Sequence, residues 1–160
     1  MSSSPAELFS IRPATNQDAE RIRALVFSVL EEFGLTPDSS GTDADLSDIE
    51  ASYLAPGGMF EVAEEADGAL VGTVGFVSLD DETCELRKMY LLPRARGCGL
   101  GKLLLARAIE QARAAGFKRM VLETASALTG AKRLYVSNGF VPVESDRLSP
   151  RCNQAYALDL

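Results

Sequence analysis

The segment with the clearest chemical character is the glycine loop, residues 96–102, which reads Arg-Gly-Cys-Gly-Leu-Gly-Lys. It lies between a strand-like run and a strongly amphipathic helical pattern. Backbone N–H groups at the start of a helix have no intrahelical partner, and together with the helix dipole they attract anions. Glycine allows a phosphate to approach these amides closely, and Arg96 and Lys102 can add positive charge from the side. The loop therefore predicts a phosphate or pyrophosphate site.

Two other glycine motifs fit this loop less well. A Walker A loop needs four residues between its first glycine and its Gly-Lys-Ser/Thr element, but three residues separate Gly97 from Gly101, and Leu103 replaces the hydroxyl that binds magnesium. A dinucleotide-binding fingerprint has Lys102 at its third glycine position, although Glu123 lies at a suitable distance for a ribose. Too little sequence follows for a doubly wound sheet. A dinucleotide-binding oxidoreductase is therefore the less favoured interpretation.

The composition excludes several classes of enzyme and site. The 160 residues contain no histidine, which rules out Ser-His-Asp and Cys-His nucleophile pairs and His-Glu-x-x-His zinc sites. Cys84, Cys98 and Cys152 are odd in number and widely spaced, so we expect reduced thiols and no metal. No apolar run is long enough for a membrane span, and the first residues lack the pattern of a signal peptide. We therefore expect a cytoplasmic protein with a single domain over residues 1–160.

The net charge of −7 is distributed unevenly along the chain. Residues 1–86 hold three Lys/Arg and 18 Asp/Glu, a balance of −15, whereas residues 87–119 hold nine Lys/Arg and one acid, a balance of +8. Residues 120–160 have a net charge of zero. The acidic total argues against a nucleic-acid partner. The basic segment contains the glycine loop, and it is either a solvated helix face or a local anion site.

The hydrophobic pattern predicts alternating strands and helices. A capping box at Thr15–Asp18 begins a helix predicted over 16–33, and the turn-forming segment 36–42 precedes a weaker helical pattern over 46–54. Three alternating runs separated by turn signals predict an antiparallel meander. The predicted strands lie at 9–13, 59–65, 69–78, 83–92, 118–123, 140–144 and 153–160, and further helices lie at 100–115 and 131–138.

Two of these strands flank the glycine loop and its helix. A strand–helix–strand crossover makes its two strands parallel, so we expect strands 83–92 and 118–123 to be parallel. The intervening helix has one apolar stripe, made of Leu100, Leu103, Leu104, Ala108, Ala112 and Ala115. The predicted fold class is therefore α+β, with a mostly antiparallel sheet and one parallel pair.

These segments resemble the GNAT superfamily of N-acetyltransferases. Residues 96–101 match its [QR]-x-x-G-x-[GA] acyl-CoA pyrophosphate loop, residues 85–93 look like its fourth strand, and residues 131–140 are similar to its A-x-x-L-Y-x-x-x-G-F signature. The specific match covers residues 83–143. It implies a three-layer arrangement of α/β type, with helices on both faces of the sheet and a splay between parallel strands four and five. One departure is Leu128, where many members have an asparagine that contacts the pantetheine or an ordered water.

The resemblance implies transfer of acetyl from acetyl-CoA to a primary amine by direct attack in a ternary complex, with acetyl-CoA as a cosubstrate and no metal. An alkyl amine with a reference pKa of about 10.4 is mostly protonated at neutral pH, so a base is required. The residues implied to bind acetyl-CoA are Met89, Tyr90, Leu91, Arg96, Gly97, Cys98, Gly99, Leu100, Gly101, Lys102, Thr124, Lys132 and Tyr135.

Three of the implied roles concern the reaction itself. Glu85 occupies the strand-four carboxylate position and is the predicted base, directly or through water; alternatively, it only pairs with Arg87 on the same strand face. The backbone N–H of Leu91 is implied to stabilise the oxyanion. The phenol of Tyr135 is implied to protonate the CoA thiolate, although an aromatic ring at this position can also simply pack against the core.

The acceptor is less well defined by the sequence. Phe33, Tyr53, Arg87 and Arg151 are predicted wall residues of its site, and either arginine can bind the carboxylate of an amino-acid-like small molecule. The acidic first half instead favours a cationic acceptor such as a polyamine, an aminoglycoside or a lysine side chain. A non-catalytic acyl-CoA-binding module is the alternative from another class of function. We expect no membrane partner, and the resemblance is compatible with a homodimer.

Overall fold

The structure is a computed structural model and describes residues 3–146 and 148–160. Its strands form one seven-stranded sheet in the order β1-β2-β3-β4-β5-β7-β6. The strands are β1 (Ser10–Pro13), β2 (Met59–Glu64), β3 (Leu70–Ser78), β4 (Thr83–Leu91), β5 (Arg119–Thr124), β6 (Val141–Val143) and β7 (Gln154–Asp159), and the helices are α1 (Pro5–Leu8), α2 (Ala19–Glu32), α3 (Leu100–Ala114) and α4 (Thr129–Ser137). Neighbouring strands are antiparallel except β4 and β5, which confirms the predicted mixed sheet.

The helices differ from the sequence-based expectation in detail. The predicted helix over 16–33 begins as a 3-10 turn, Asn16–Asp18, before α2, and the predicted capping box at Thr15 is present. The weaker pattern over 46–54 forms a 3-10 turn at Ala44–Ser47 and a π-helical turn at Glu50–Leu54. In α3 the buried stripe is Leu100, Gly101, Leu104, Leu105, Ala108, Ile109 and Ala112. Leu103 is only half-buried and Ala115 is exposed, so the predicted stripe was wrong at its edges.

Two hydrophobic clusters cover the two faces of the sheet. One cluster joins α3 and α4 to the sheet, with Met59 and Ala63 of β2 among its members. The other joins α2 and the 44–54 segment to the sheet, with Phe60 and Val62 of β2 among its members. Adjacent residues of a strand point to opposite faces, so the clusters lie on opposite sides. Helices therefore cover both faces, as the resemblance implied.

The parallel strands β4 and β5 pair over only part of their length. Their register is Thr83 with Arg119, Cys84 with Met120 and Glu85 with Val121. Beyond this point β4 continues to Leu91 and β5 to Thr124 without pairing with each other, which leaves the implied splay between them.

A bulge bends β4 where it leaves β5. Lys88 has a φ of +55°, a left-handed conformation that is costly for a side chain other than glycine. The hydroxyl of Thr73 on β3 donates to the Lys88 carbonyl at 2.6 Å and helps to hold this conformation. None of the helices that the structure describes has the length and apolar character of a membrane span.

Candidate active site

The glycine loop turns β4 into α3 through two left-handed residues, Gly97 with a φ of +77° and Gly99 with a φ of +91°. Within residues 3–146 and 148–160, no acceptor occupies the backbone N–H groups of residues 97–102. A Cβ on Gly97 would meet no atom within 4 Å, so the loop is open at this residue. Unpaired amides at the start of a 15-residue helix fit a phosphate group.

Gly101 has a different role from the two glycines before it. A Cβ at this position would lie 3.2 Å from Leu91 Cδ1 and 3.3 Å from Leu134 Cδ2. The absence of a side chain therefore lets α3 approach β4 and α4. Gly101 is needed for packing as well as for access to the loop.

The two basic residues of the loop are in different electrostatic environments. Arg96 forms an ion pair with Glu32 of α2 at 2.6 and 2.8 Å, and its guanidinium carbon lies 5.2 Å from the centre of the Phe33 ring. Lys102 is exposed and has no ion pair among the residues that the structure describes. Arg96 therefore fixes the loop against α2, whereas Lys102 retains an uncompensated positive charge.

Leu91, at the end of β4, presents its backbone N–H to the splay. It pairs with Gly72, and the next residue, Leu92, donates its N–H to the Val71 carbonyl at 2.9 Å. Hydrogen-bonded and non-hydrogen-bonded pairs alternate in an antiparallel ladder, so the Leu91 N–H points away from β3. Its carbonyl accepts from Arg96 Nη2 at 2.8 Å and Nε at 3.1 Å. The amide predicted as the oxyanion donor therefore faces the side where β5 has separated.

A cleft of about 330 Å³ runs beside the loop, and we call it the loop cleft. Its lining is Val29, Phe33, Met89, Tyr90, Leu91, Arg96, Gly97, Gly99, Gly101, Lys102, Leu128, Gly130, Ala131 and Leu134. Eight of the residues implied to bind acetyl-CoA are in this set. Val29 and Gly130 were missed because neither stands out in the sequence.

The side chains of several predicted residues lie outside the loop cleft, although the backbone N–H groups of Cys98 and Leu100 belong to the open loop. Leu100 is fully buried in the core, Cys98 donates its thiol to the Ala95 carbonyl at 3.3 Å, and Lys132 is outside the lining of the loop cleft. Phe33, predicted beside the acceptor, belongs to the loop cleft, because α2 crosses the sheet next to the glycine loop.

A narrower space of about 50 Å³ lies within the splay, and we call it the splay cavity. Its lining is Leu35, Leu86, Arg87, Lys88, Met89, Tyr90, Glu123, Thr124, Ala125, Leu128, Tyr135, Arg151 and Cys152. Tyr135 is 6% exposed, and burial raises its pKa, so its phenol keeps the proton at neutral pH. The Thr124 hydroxyl is buried here and has no hydrogen-bond partner in the described part of the chain, which suits a polar ligand.

A third space of about 370 Å³, the polar cavity, lies beyond the splay cavity. Its lining is Gly41, Thr42, Asp45, Glu85, Leu86, Arg87, Lys88, Tyr90, Glu123, Ser149, Arg151 and Cys152. It shares residues with the splay cavity, which in turn shares Met89, Tyr90 and Leu128 with the loop cleft. The three spaces therefore follow one another from the glycine loop to a charged cavity.

A buried charge network forms one wall of the polar cavity. Asp43, whose side chain is fully buried, accepts from Arg151 at 2.6 and 2.8 Å and pairs with Lys88 at 3.1 Å. Burial tends to raise the pKa of Asp43, but the hydrogen bonds from Arg151 and the Asp38 backbone and the charge of Lys88 outweigh it and lower this pKa to about 2. Asp43 thus anchors the segment between α2 and β2 to β4 and to Arg151.

The predicted base and the predicted tyrosine of the acceptor wall both have partners. Glu85 forms an ion pair with Arg87, as the alternative interpretation had it, and both line the polar cavity. Tyr53 is not a wall residue: its side chain is fully buried, its ring packs edge-on against Phe60, and its hydroxyl donates to Asp45. Periodicity placed Tyr53 correctly on a helical turn but could not show which side of that turn is covered.

Most of the basic segment pairs with the acidic segment. Six of its nine basic residues form ion pairs with carboxylates of residues 1–86: Arg87 with Glu85, Lys88 with Asp43 and Asp45, Arg94 with Glu65, Arg96 with Glu32, Arg107 with Glu61, and Lys118 with Glu82. Folding therefore cancels much of the charge separation seen along the sequence. Lys102 is the basic residue of the loop that stays uncompensated among the described residues.

A parallel strand pair that splays beside a glycine-rich helix start defines the class of acyl-CoA-dependent acyltransferases that the resemblance implied. Residues 26–140 match the model of the Acetyltransferase (GNAT) family, and the chain belongs to this family. It is therefore an N-acetyltransferase, and the predicted family, fold class and enzyme class are confirmed.

Relatives and solved structures agree with this assignment. The chain is 41% identical over 139 residues to the uncharacterized N-acetyltransferase YjgM of Escherichia coli K12, covering 84% of this chain and 83% of that protein. It is similar to a GNAT-family acetyltransferase from Staphylococcus aureus Mu50, with a TM-score of 0.89, 26% identity and coverage of 94% and 98% of the two chains. It is also similar to YncA from Salmonella typhimurium, solved with its cofactor acetyl-CoA, with a TM-score of 0.73, 25% identity and coverage of 94% and 93%.

Proposed function

We propose that the protein transfers the acetyl group of acetyl-CoA to the primary amine of a small, amino-acid-like molecule, by direct attack in a ternary complex. The supporting observation is the sequence of three spaces: a loop cleft with free amides, a splay cavity with a buried phenol, and a polar cavity with charges of both signs.

The loop cleft fits the donor. The free N–H groups of residues 97–102 and the ammonium of Lys102 would hold the pyrophosphate, because both offer positive charge to an anion. The exposed edge of β4 at Met89–Leu91 and the unpartnered Thr124 hydroxyl would bind the pantetheine that passes into the splay. Leu128 gives this path an apolar wall where many family members have an asparagine.

The splay would hold the reacting carbonyl. The Leu91 N–H points to the side where the described parts of β4 and β5 do not pair, and it would stabilise the oxyanion that forms when the amine attacks. Tyr135 would donate its proton to the sulfur as the C–S bond breaks. Two carboxylates, Glu85 and Glu123, line the polar cavity on opposite strands and can take a proton from the acceptor.

The polar cavity suits a zwitterionic acceptor. Carboxylates attract an ammonium group, and Arg87 lies in the same lining and can direct a carboxylate, whereas Arg151 already donates to Asp43 through both Nη atoms. A purely cationic acceptor is less favoured, because many acids of the first half are paired with the basic segment.

The test is release of free CoA thiol from acetyl-CoA with a panel of amino acids, polyamines and aminoglycosides. We expect turnover with an amino-acid-like acceptor well above hydrolysis, and a higher melting temperature with acetyl-CoA but not with NAD. Acetyl-CoA binding without turnover on any acceptor would favour a non-catalytic binding module. Stabilisation by NAD would favour the oxidoreductase.

A further inference from the structure

We propose that Glu123, rather than Glu85, binds the ammonium group of the acceptor and takes its proton. This inference rests on the proposed acetyl transfer and assigns its base. Strand register, the walls of two cavities and the distribution of ion pairs all favour Glu123.

The strand register places Glu123 nearer the splay than Glu85. Val121 pairs with Glu85 in the parallel ladder, so their side chains lie on the same sheet face, and Glu123 follows on that face two residues later. A strand rises by about 3.3 Å per residue, so Glu123 is displaced by about 7 Å toward the end where β4 and β5 have separated. The predicted oxyanion donor, Leu91, lies toward this same end.

The cavity walls lead to the same assignment. Glu123 lines both the splay cavity, together with Tyr135, and the polar cavity. Glu85 lines the polar cavity but not the splay cavity. Among the described residues, Glu123 is the carboxylate common to both walls, which places it between a bound acceptor and the reacting carbonyl.

The ion pairs leave Glu123 available. Glu85 is paired with Arg87, and Asp45 is engaged by Lys88. Over residues 3–146 and 148–160, Glu123 has no ion pair. The backbone N–H and the hydroxyl of Ser149 both donate to its Oε2, at 3.3 and 3.1 Å, which orients the carboxylate and leaves Oε1 for an ammonium.

The proton transfers balance with Glu123 as the base. The carboxylate takes one proton from the ammonium, and the neutral amine attacks the thioester carbonyl. The C–N bond forms and the C–S bond breaks, and the departing thiolate takes the phenol proton of Tyr135. The amide nitrogen loses its second proton, which restores the phenol, and Glu123 releases its proton to water. The net products are the acetamide, free CoA and one proton.

The test compares Glu123→Gln, Glu85→Gln and Glu110→Gln, a control that removes one exposed carboxylate from α3. With the acceptor found in the panel, we expect E123Q to lower kcat/KM about 100-fold at pH 7 and acetyl-CoA affinity less than threefold. The loss should shrink as pH rises, because the free amine then needs no base. We expect E85Q to lower kcat/KM less than fivefold and E110Q to match the wild type.

Charged and titratable groups around Glu123 must be considered in the pH profile. They are Glu85, Arg87, Lys88 and Tyr90 of β4, Asp45 of the segment between α2 and β2, Tyr135 of α4, and Arg151 and Cys152. Burial raises the pKa of Tyr90, Tyr135 and Cys152, so these three groups stay neutral near pH 7. A kcat/KM that rises more steeply with pH only in E123Q is therefore attributable to Glu123.

Three results would overturn the assignment. They are an E123Q enzyme within threefold of the wild type, a larger loss in E85Q than in E123Q, or a loss in E123Q that does not change with pH. If E123Q no longer binds acetyl-CoA, Glu123→Asp becomes the test variant. We expect Glu123→Asp to lower kcat/KM about tenfold and to keep the wild-type pH profile. An unchanged kcat/KM in this variant would contradict the inference. A wild-type protein without turnover on any acceptor would instead defeat the proposed function itself.

Discussion

The loop cleft and the polar cavity lie on either side of the splay and are built in different ways. The anion-binding wall of the loop cleft is the backbone of one contiguous segment, residues 96–102, while α2, β4 and the 128–134 segment supply its other walls. The polar cavity depends on side chains from four separate places: the 41–45 segment, β4, β5 and the 149–152 segment. The anion-binding part of the donor site is therefore local, and the acceptor site is assembled by the tertiary structure.

This difference has an energetic consequence. Buried charges are tolerated only when each has a partner, so removing one member of the Asp43 network leaves others unpaired. The glycine loop holds no buried charge, and a change there alters local backbone conformation. We therefore expect substitutions around the polar cavity to lower stability and acceptor binding, and substitutions in the glycine loop to weaken acetyl-CoA binding.

The largest effect is expected for Asp43→Asn. Loss of this carboxylate leaves Lys88 and Arg151 without their buried partner, and we expect the free energy of unfolding to fall by about 3–5 kcal/mol in urea denaturation. The control is Glu82→Gln, which breaks a pair with Lys118 that is 68% and 73% exposed and should cost less than about 1 kcal/mol. If folded D43N lost acetyl-CoA affinity more than acceptor affinity, the proposed division between the two sides would be wrong.

The next largest effect is expected for Tyr135→Phe. The ring and its packing remain, but the proton donor for the thiolate is lost, so kcat should fall about 100-fold while acetyl-CoA affinity changes less than threefold. Tyr156→Phe is a matched control, because Tyr156 is buried next to Tyr135 but lines none of the three spaces. An unchanged kcat in Y135F would remove the tyrosine from the mechanism and leave it as a core aromatic.

Acid should lower the free energy of unfolding, because it protonates Asp43 in the buried charge network beside the polar cavity. The pKa of Asp43 falls from 3.8 to about 2 on folding, so its ionised form stabilises the native state fully above about pH 4. This contribution is lost as the pH falls through 2, and it amounts to about 2 kcal/mol at 1.36 kcal/mol per pKa unit. Denaturation in urea between pH 5 and 2 should show this loss in the wild type and a smaller one in D43N. If the free energy of unfolding fell equally with pH in the wild type and in D43N, Asp43 would not be the group responsible.

The smallest effect is expected for Gly99→Ala. Alanine in the left-handed region costs about 1–2 kcal/mol, and its Cβ would lie 3.2 Å from Pro5 Cγ, so the loop should shift and acetyl-CoA affinity should fall about tenfold. Gly116→Ala is the control, since Gly116 has a φ of +94° and open surroundings at the end of α3. Calorimetric titration should show weaker acetyl-CoA binding in G99A alone. Equal affinities in both variants would show that the loop conformation does not limit binding.

Local patterns were sufficient to predict the donor side. Glycines at a strand–helix junction, a capping box at Thr15 and alternating apolar residues all act over a few residues, so their consequences can be derived from the sequence. The order of strands around the crossover also required β4 and β5 to be parallel, and the structure has this arrangement. What the sequence left uncertain there was side-chain detail, such as the packing role of Gly101.

Only the tertiary structure decided the polar side. Nothing near Asp43 in the sequence indicates that it meets Arg151, which is 108 residues away, and nothing in the sequence assigned Glu123 a role as the base. Phe33 and Tyr53 were placed on the correct elements but at the wrong surfaces, because burial depends on which neighbour covers each face. The physical reason is one of range: backbone geometry is set by adjacent residues, whereas charge pairing and cavity walls are set by contacts between distant segments.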